Sequence, residues 1–483
     1  MDLKQLTIKK IHQGLKNKEF SSKEVTKAYL ENIGIQNKEI NAFITINQEQ
    51  ALNQAKEADK LWQKGDKNIS ALTGVPLAIK DNILIKDMPC TAGSKILENY
   101  IAPYNATVIE KLKKNNAVFL GKTNLDEFAM GASGEYSAFG PTKNPINKDY
   151  VPGGSSSGSA AAVGADMAPA SLGSDTAGSV RQPACFCGLV GMKPTYGAVS
   201  RHGLISMASS LDQIGVIAKN TDDAETIFNF ISGKDPLDST SCDMPEELAE
   251  ELAPQKMTIG LPKEAFMEGV DKRVAQMVEQ ATLKLAQAGI KIENVDLPHA
   301  PYGIACYDII MPAEVSSNLA RYDGIRFGKA QINADKEQVN ANVLEEVYLE
   351  TREQGFGAEA KRRIVLGTHV LSSGYYESYY LRAQKVRAKI IQDFKKDFEL
   401  ADLILMPTSP ILPFKLGEKL SDPLAMYLAD LMTVTVNLAG LPAISLPLGN
   451  VDGLPVGIQI IAPQFKEKKM FQMAKFFENI WNS

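Results

Sequence analysis

Between Pro152 and Pro183 the chain carries two glycine loops rich in hydroxyl groups, and this run limits the possible folds most tightly. The first loop reads Gly153-Gly154-Ser155-Ser156-Ser157-Gly158-Ser159. The second reads Gly173-Ser174-Asp175-Thr176-Ala177-Gly178-Ser179-Val180-Arg181-Gln182-Pro183. Between them, Ala160 to Ala165 is a helix candidate made of residues small enough to let backbones approach closely. The plain alternative is a flexible Gly/Ser linker. A linker is low in complexity and joins self-sufficient halves. This run instead sets Asp175, Thr176, Arg181 and Gln182 around its last serine, as a pair of catalytic loops with exposed backbone N–H groups requires.

The remainder reads as α/β. Gly74 to Asn82 is a buried strand ending in charge at Lys80, and a strand end in an open sheet is where side chains reach a crevice. A helix over Thr107–Asn115 and a strand over Ala117–Gly121 continue a strand–helix–strand rhythm. Leu403–Thr408, Pro442–Pro447 and Val456–Ile461 read as further buried strands, and residues 300–400 as mostly helical. Strands at both ends without a self-contained break favour one large domain over residues 71–483. Residues 1–70 read as a helical appendage packed on it. Ser21-Ser22-Lys23-Glu24 resembles an N-cap there, and Leu30, Ile33 and Ile35 supply an apolar face.

Composition excludes several classes. At 483 residues and 44% apolar, the chain can bury a large core. A net charge of −5 with no long basic run argues against nucleic-acid binding as the chain's own task. No apolar run reaches a membrane span and no secretory leader is legible, so a cytoplasmic location is expected. Five scattered cysteines do not form a disulfide framework, and the Cys185–Cys187 pair lacks partners for a metal site. Four histidines leave few bases for Ser–His–Asp chemistry.

Lys80, Ser155 and Ser179 form an alternative set. A serine hydroxyl needs a base to become a nucleophile. A lysine serves only when neutral, so its reference pKa near 10.4 must fall by about three units, or about 4 kcal/mol. Burial shifts it in that direction. A hydroxyl between lysine and nucleophile can relay the proton. The N–H groups of Thr176, Ala177, Gly178 and Ser179 can hold an oxyanion.

These loops, with a lysine upstream at a strand end, resemble the amidase signature family. The resemblance implies a single α/β/α domain around a mixed sheet. It also implies Ser179 as acyl-forming nucleophile, Ser155 as bridging cis-serine, Lys80 as base, and Thr176, Ala177 and Gly178 as the oxyanion hole. Further blocks resemble one branch of that family, the glutaminase subunits of tRNA-dependent amidotransferases. They include Gly197–Leu204, Ser209–Gly215, Ser316–Gly324, Gly355–Gly357, Lys361–Ile364, Leu371–Tyr376 and Val436–Pro442. That likeness implies a heterotrimer with two partners, the B and C subunits of the amidotransferase. The present chain would hydrolyse glutamine and deliver ammonia to the first of these, while the second braces the pair. The first partner would use ATP and magnesium to amidate a misacylated tRNA, Glu-tRNA(Gln) or Asp-tRNA(Asn). This chain itself is expected to hold no cofactor and no metal. Three substrate contacts are implied: Arg363 for the α-carboxylate, Asp430 for the α-ammonium, and Tyr307 beside the ligand. An arginine fork suits a free carboxylate; taken alone, Arg363 and Asp430 would read as surface charges.

Two positions depart from the family pattern. Ala177 and Ser157 stand where glycine is usual. If either backbone needs φ > 0, a Cβ strains the loop by about 1 kcal/mol. Three other readings remain open at this level. A stand-alone amidase for small amides shares the serines and the lysine. An α/β-hydrolase would use Gly154-Ser155-Ser156-Ser157-Gly158 as its elbow, with Ser156 as nucleophile, but lacks a preceding apolar strand. A scaffold protein would use the glycine loops only for packing.

Overall fold

The strand predicted before Lys80 forms as Pro76–Lys80, and every one of its residues is buried. Among the described residues it is one of eleven strands: β1 (Phe43–Ile46), β2 (Pro76–Lys80), β3 (Val118–Thr123), β4 (Ala170–Asp175), β5 (Val190–Lys193), β6 (Gln213–Ala218), β7 (Thr258–Pro262), β8 (Lys291–Val295), β9 (Leu403–Pro407), β10 (Ala443–Val451) and β11 (Leu454–Ile461). A computed structural model describes residues 1–67, 69–244, 253–328 and 341–483; positions 329–340 of the stretch expected to be helical lie outside the described residues.

The strands build one sheet in the order β1-β3-β2-β4-β6-β5-β10-β11-β9-β7-β8. β2 runs parallel to both β3 and β4, and β7 runs parallel to β8 and β9. The pairs between these groups are antiparallel. The fold is thus α/β on a single mixed sheet. Its central strands are buried on both faces, as near-continuous apolar runs require. Alternate residues serve opposite faces. Leu403 and Leu405 join one large apolar cluster, while Ile404 and Met406 join the other.

The first seventy residues differ from a purely helical appendage. The helices Ile8–Asn17, Ser22–Ile40 and Gln48–Lys64 form, but β1 lies between the last two and pairs antiparallel with β3 at the sheet edge. The cap expected at Ser21 is a full capping box with Glu24. The buried face of its helix is Val25, Tyr29 and Ile33, which join the main core. Ile35 is 74% exposed, so it lies off that face. Strand length explains why β1 escapes a sequence reading: Phe43-Ile44-Thr45-Ile46 is too short to show a period.

The small-residue stretch becomes the helix Ser157–Gly164, buried on nearly all sides. Ala160 and Val163 pack against Val180 and Ala184, on the short helix Arg181–Phe186 and its approach. Alanines therefore bring the two glycine loops together. All five cysteines are free, and four of them are buried. Among the described residues, no helix is long and apolar enough to cross a membrane.

Candidate active site

Lys80 ends β2 and Asp175 ends β4, its parallel neighbour, so both stand at the crevice outside the carboxyl ends of these strands. Lys80 is fully buried. Its Nζ lies 2.8 Å from Ser155 Oγ, 2.9 Å from Ser156 Oγ, 2.9 Å from Ser174 Oγ and 3.3 Å from the Ser174 carbonyl. Burial lowers its pKa to about 7, against the opposing pull of Asp126, Asp175 and Asp212. A neutral amine has one lone pair and two N–H donors. It can therefore accept one hydroxyl proton while donating to other oxygens.

Ser155 follows a cis Gly154–Ser155 peptide. A Cβ on Gly154 would fall 2.1 Å from Asp126 Oδ2, so glycine is required there by close approach. Gln182 fixes the turn from the second loop: its Oε1 accepts from Gly154 N at 2.9 Å and its Nε2 donates to the Ala132 carbonyl at 3.0 Å.

The loop after β4 is held by a buried ion pair. Arg181 donates from Nε to Asp175 Oδ2 at 3.1 Å and from Nη1 to Gln459 Oε1 at 2.8 Å. Asn437 Nδ2 donates to Asp175 Oδ1 at 2.9 Å. The same Asp175 accepts from Val180 N, the residue after Ser179. Thr176 Oγ1 donates to Asp212 Oδ1 at 2.7 Å, and Asp212 in turn accepts from Met207 N and Ala208 N. Within this frame the N–H groups of Thr176, Ala177, Gly178 and Ser179 meet no acceptor among the described residues. Consecutive unpaired donors of this kind suit an oxyanion. Neither Ala177 nor Ser157 is among the residues with positive φ. The condition under which a Cβ would strain the loop is therefore not met at either position; within the 176–179 turn only Gly178, at φ 151, takes up the unusual conformation. Ser157 starts its helix and donates to Thr142 Oγ1.

One narrow cavity joins distant parts of the sequence. Its walls include Ser179, Met207, Tyr307, Arg363, Tyr427 and Asp430. Its volume is about 20 Å³, space for roughly one water molecule. Arg363 is 4% exposed, so it is no surface charge. Its Nε donates to Glu359 Oε1 at 2.7 Å, and its guanidinium lies 4.5 Å from the centre of the Tyr427 ring. Asp430 Oδ1 is cut off from solvent and has no hydrogen-bond partner among the described residues. Burial, reinforced by Asp175, raises the Asp430 pKa to about 8. Tyr307 is buried, and its phenol is pushed well above its usual range by desolvation.

Sequence reasoning gives no role in this site to Ser174, Asp212, Glu359 or Tyr427, and it names Ser156 only as a rival nucleophile. Glu359 and Arg363 are four apart on the helix Ala358–Leu371, a spacing that does suggest a pair. The contacts of Asp212 and Tyr427 come from tertiary structure and leave no local signal. Among the described residues no cluster of three His, Cys, Asp or Glu could hold a metal ion.

Fold and site together define an α/β protein of amidase type, with a buried lysine–serine cluster at the carboxyl ends of parallel strands. The family model described as Amidase matches residues 24–471, and the chain belongs to the amidase signature family. The chain is 52% identical to the A subunit of glutamyl-tRNA(Gln) amidotransferase from Thermoanaerobacter pseudethanolicus, over 99% of this chain and 97% of that protein. It is 50% identical to the protein of the same name from Methylacidiphilum infernorum, over 99% and 95%. The crystal structure of the corresponding protein of the same name from Thermotoga maritima matches with a TM-score of 0.81 at 41% identity, over 99% of this chain and 95% of that one. The native peptide amidase of Stenotrophomonas maltophilia matches with a TM-score of 0.82 at 27% identity, over 99% and 97%.

Proposed function

We propose that the chain is the glutamine-hydrolysing subunit of a tRNA-dependent amidotransferase. The carrying observation is the cavity lined together by Ser179, Tyr307, Arg363 and Asp430. An arginine and a carboxyl in one buried pocket complement the two α-groups of a free amino acid. A simple amide has neither group, so the pocket favours glutamine over small amides. Relatives that share half of the sequence along nearly the whole chain support the same reading.

In this reading neutral Lys80 takes the proton of Ser155 Oγ. Ser155 takes that of Ser179 Oγ, which attacks the side-chain amide carbon of glutamine. Among the described residues Ser179 Oγ makes no hydrogen bond; it aligns only when substrate enters, as catalytic contacts often do. The tetrahedral oxyanion sits on the N–H groups of the 176–179 turn. Collapse breaks the C–N bond, and the relay returns its proton to the leaving ammonia. Water, activated through the same relay, then releases glutamate from the Ser179 ester.

The ammonia passes to a partner that uses ATP and magnesium to activate Glu-tRNA(Gln) or Asp-tRNA(Asn), and a further partner braces the pair. These are the B and C subunits of the heterotrimer, and the activation step takes place outside this chain. The test is ammonia release from glutamine by the chain alone and with both partners, with and without misacylated tRNA. Stimulation by partners and tRNA is expected; a rate indifferent to both contradicts the transamidation role.

A further inference from the structure

We propose that Glu359 is a positioning residue that sets the distance between the two receptors for the amino-acid end of the substrate, Arg363 and Asp430. The proposal rests on the glutamine reading above and deepens it.

Glu359 is 2% exposed and sits in the first turn of the helix Ala358–Leu371, where a carboxylate is favoured by the helix dipole. The start of that helix is itself pinned. Gly357 N donates to Glu127 Oε2 at 2.8 Å, and Ser94 Oγ donates to Glu127 Oε1 at 2.5 Å. Glu359 Oε1 then accepts two hydrogen bonds from separate elements at the cavity. Arg363 Nε donates at 2.7 Å and the Tyr427 hydroxyl at 2.8 Å. Its other oxygen is paired with Arg362 Nη1.

This arrangement has two consequences. First, Glu359 occupies the Nε edge of the guanidinium and the Tyr427 ring covers one face. What remains for a ligand is the Nη1–Nη2 end, where Asp308 Oδ1 stands 3.7 Å from Nη1 and Met311 Sδ 3.4 Å. An α-carboxylate must therefore dock end-on. Second, Tyr427 ends the short helix Pro423–Tyr427 and lies three residues before Asp430. Through Tyr427, the same carboxylate oxygen ties the segment bearing Asp430 to the helix bearing Arg363. One oxygen thus fixes the relative placement of the carboxylate and ammonium receptors.

The test uses the full chain co-purified with its partner subunits, with glutamine and propionamide as substrates. Propionamide carries the reacting amide and neither α-group. Glu359→Asp keeps the charge but withdraws it by one methylene, so Arg363 and Tyr427 cannot both be met. It is expected to raise KM for glutamine by about tenfold or more, the fold-change that corresponds to losing one hydrogen bond to a charged group. The kcat for glutamine and the kcat/KM for propionamide should stay within about twofold. Tyr427→Phe should move KM in the same direction by less. Arg363→Ala is the reference for loss of the carboxylate receptor. If it raises KM and neither Glu359→Asp nor Tyr427→Phe does, the positioning role is overturned. An equal loss on both substrates in Tyr427→Phe also overturns it, because that marks a general structural effect; the same variant decides if Glu359→Asp fails to fold. If Arg363→Ala leaves KM for glutamine unchanged, the glutamine reading itself fails, and this inference with it.

Discussion

Lys80 Nζ lies 2.8 Å from Ser155 Oγ with both residues fully buried, and burial brings the lysine pKa to about 7. A strand end, rather than a flexible loop, carries this lysine. Its reach to the serine loops is therefore fixed by the register of β2 against β4.

The rate of ammonia release should rise with pH through about 7, because only neutral Lys80 accepts a proton. A single-proton limb in kcat is the expected profile, since bound substrate already holds Asp430 as the carboxylate, and it should be absent from any residual rate of Lys80→Met. The same shift predicts a stability trend. Between about 7 and the unfolded lysine value the unfolded chain binds one more proton than the folded chain, so this group makes stability rise with pH there. Denaturant midpoints across that window, compared with Lys80→Met, check the sign.

Asp430, with a pKa near 8, is mostly protonated at neutral pH before substrate binds. A substrate ammonium favours the carboxylate. Binding of glutamine should therefore release a proton, and affinity should increase as pH rises toward 8. Calorimetry on Ser179→Ala in buffers of different ionisation enthalpy reads the proton directly. Asp430→Asn should remove the dependence.

Ala177→Gly and Ser157→Gly should leave the glutaminase rate within about twofold, since neither backbone occupies the region that favours glycine. A many-fold gain in either variant would mean that the turn is strained in a way its dihedrals do not reveal.

Gly178→Ala should behave differently. An added Cβ would lie 2.2 Å from Thr433 Oγ1 and 3.1 Å from Asp430 Oδ1. The 176–179 turn must move, and if it holds the oxyanion as proposed, loss of one aligned donor typically costs about 10²–10³ in kcat. Steady-state kinetics with a melting curve as control will separate this from unfolding.

Arg181→Ala should destabilise the fold by about 3–5 kcal/mol, because it leaves Asp175 buried and unpaired. Chemical denaturation measures this, and activity should fall with the loss of order at Ser179.

Much of the scaffold is legible in the sequence because its signals are local. The run before Lys80 has the composition of a doubly covered strand, and the alanines between the loops suit a tightly packed helix. β1 is not legible, since its four residues gain their role from pairing with β3. Ile35 looks apolar enough for the buried face, but Val25, Tyr29 and Ile33 set the helix phase and turn it outward. In the site, hydroxyls and lysine suggest one another by chemistry. Arg363, Asp430 and Tyr307 carry no such mark and enter only through resemblance. Their shared cavity is a product of helices far apart in sequence, as is the hold of Glu359 on Arg363 and Tyr427. At Ala177 the absence of glycine suggests strain only if φ is positive there. In the fold, that dihedral belongs to Gly178.

The most direct measurement is ammonia release from glutamine by the full chain and by Ser179→Ala, with a matched melting temperature as the control for folding. Turnover is predicted in the parent chain, with its loss by a factor of about 10³ or more in the variant, leaving only what binding and the oxyanion turn provide. Turnover that survives in Ser179→Ala, or a parent chain that hydrolyses propionamide but not glutamine, would contradict the assignment.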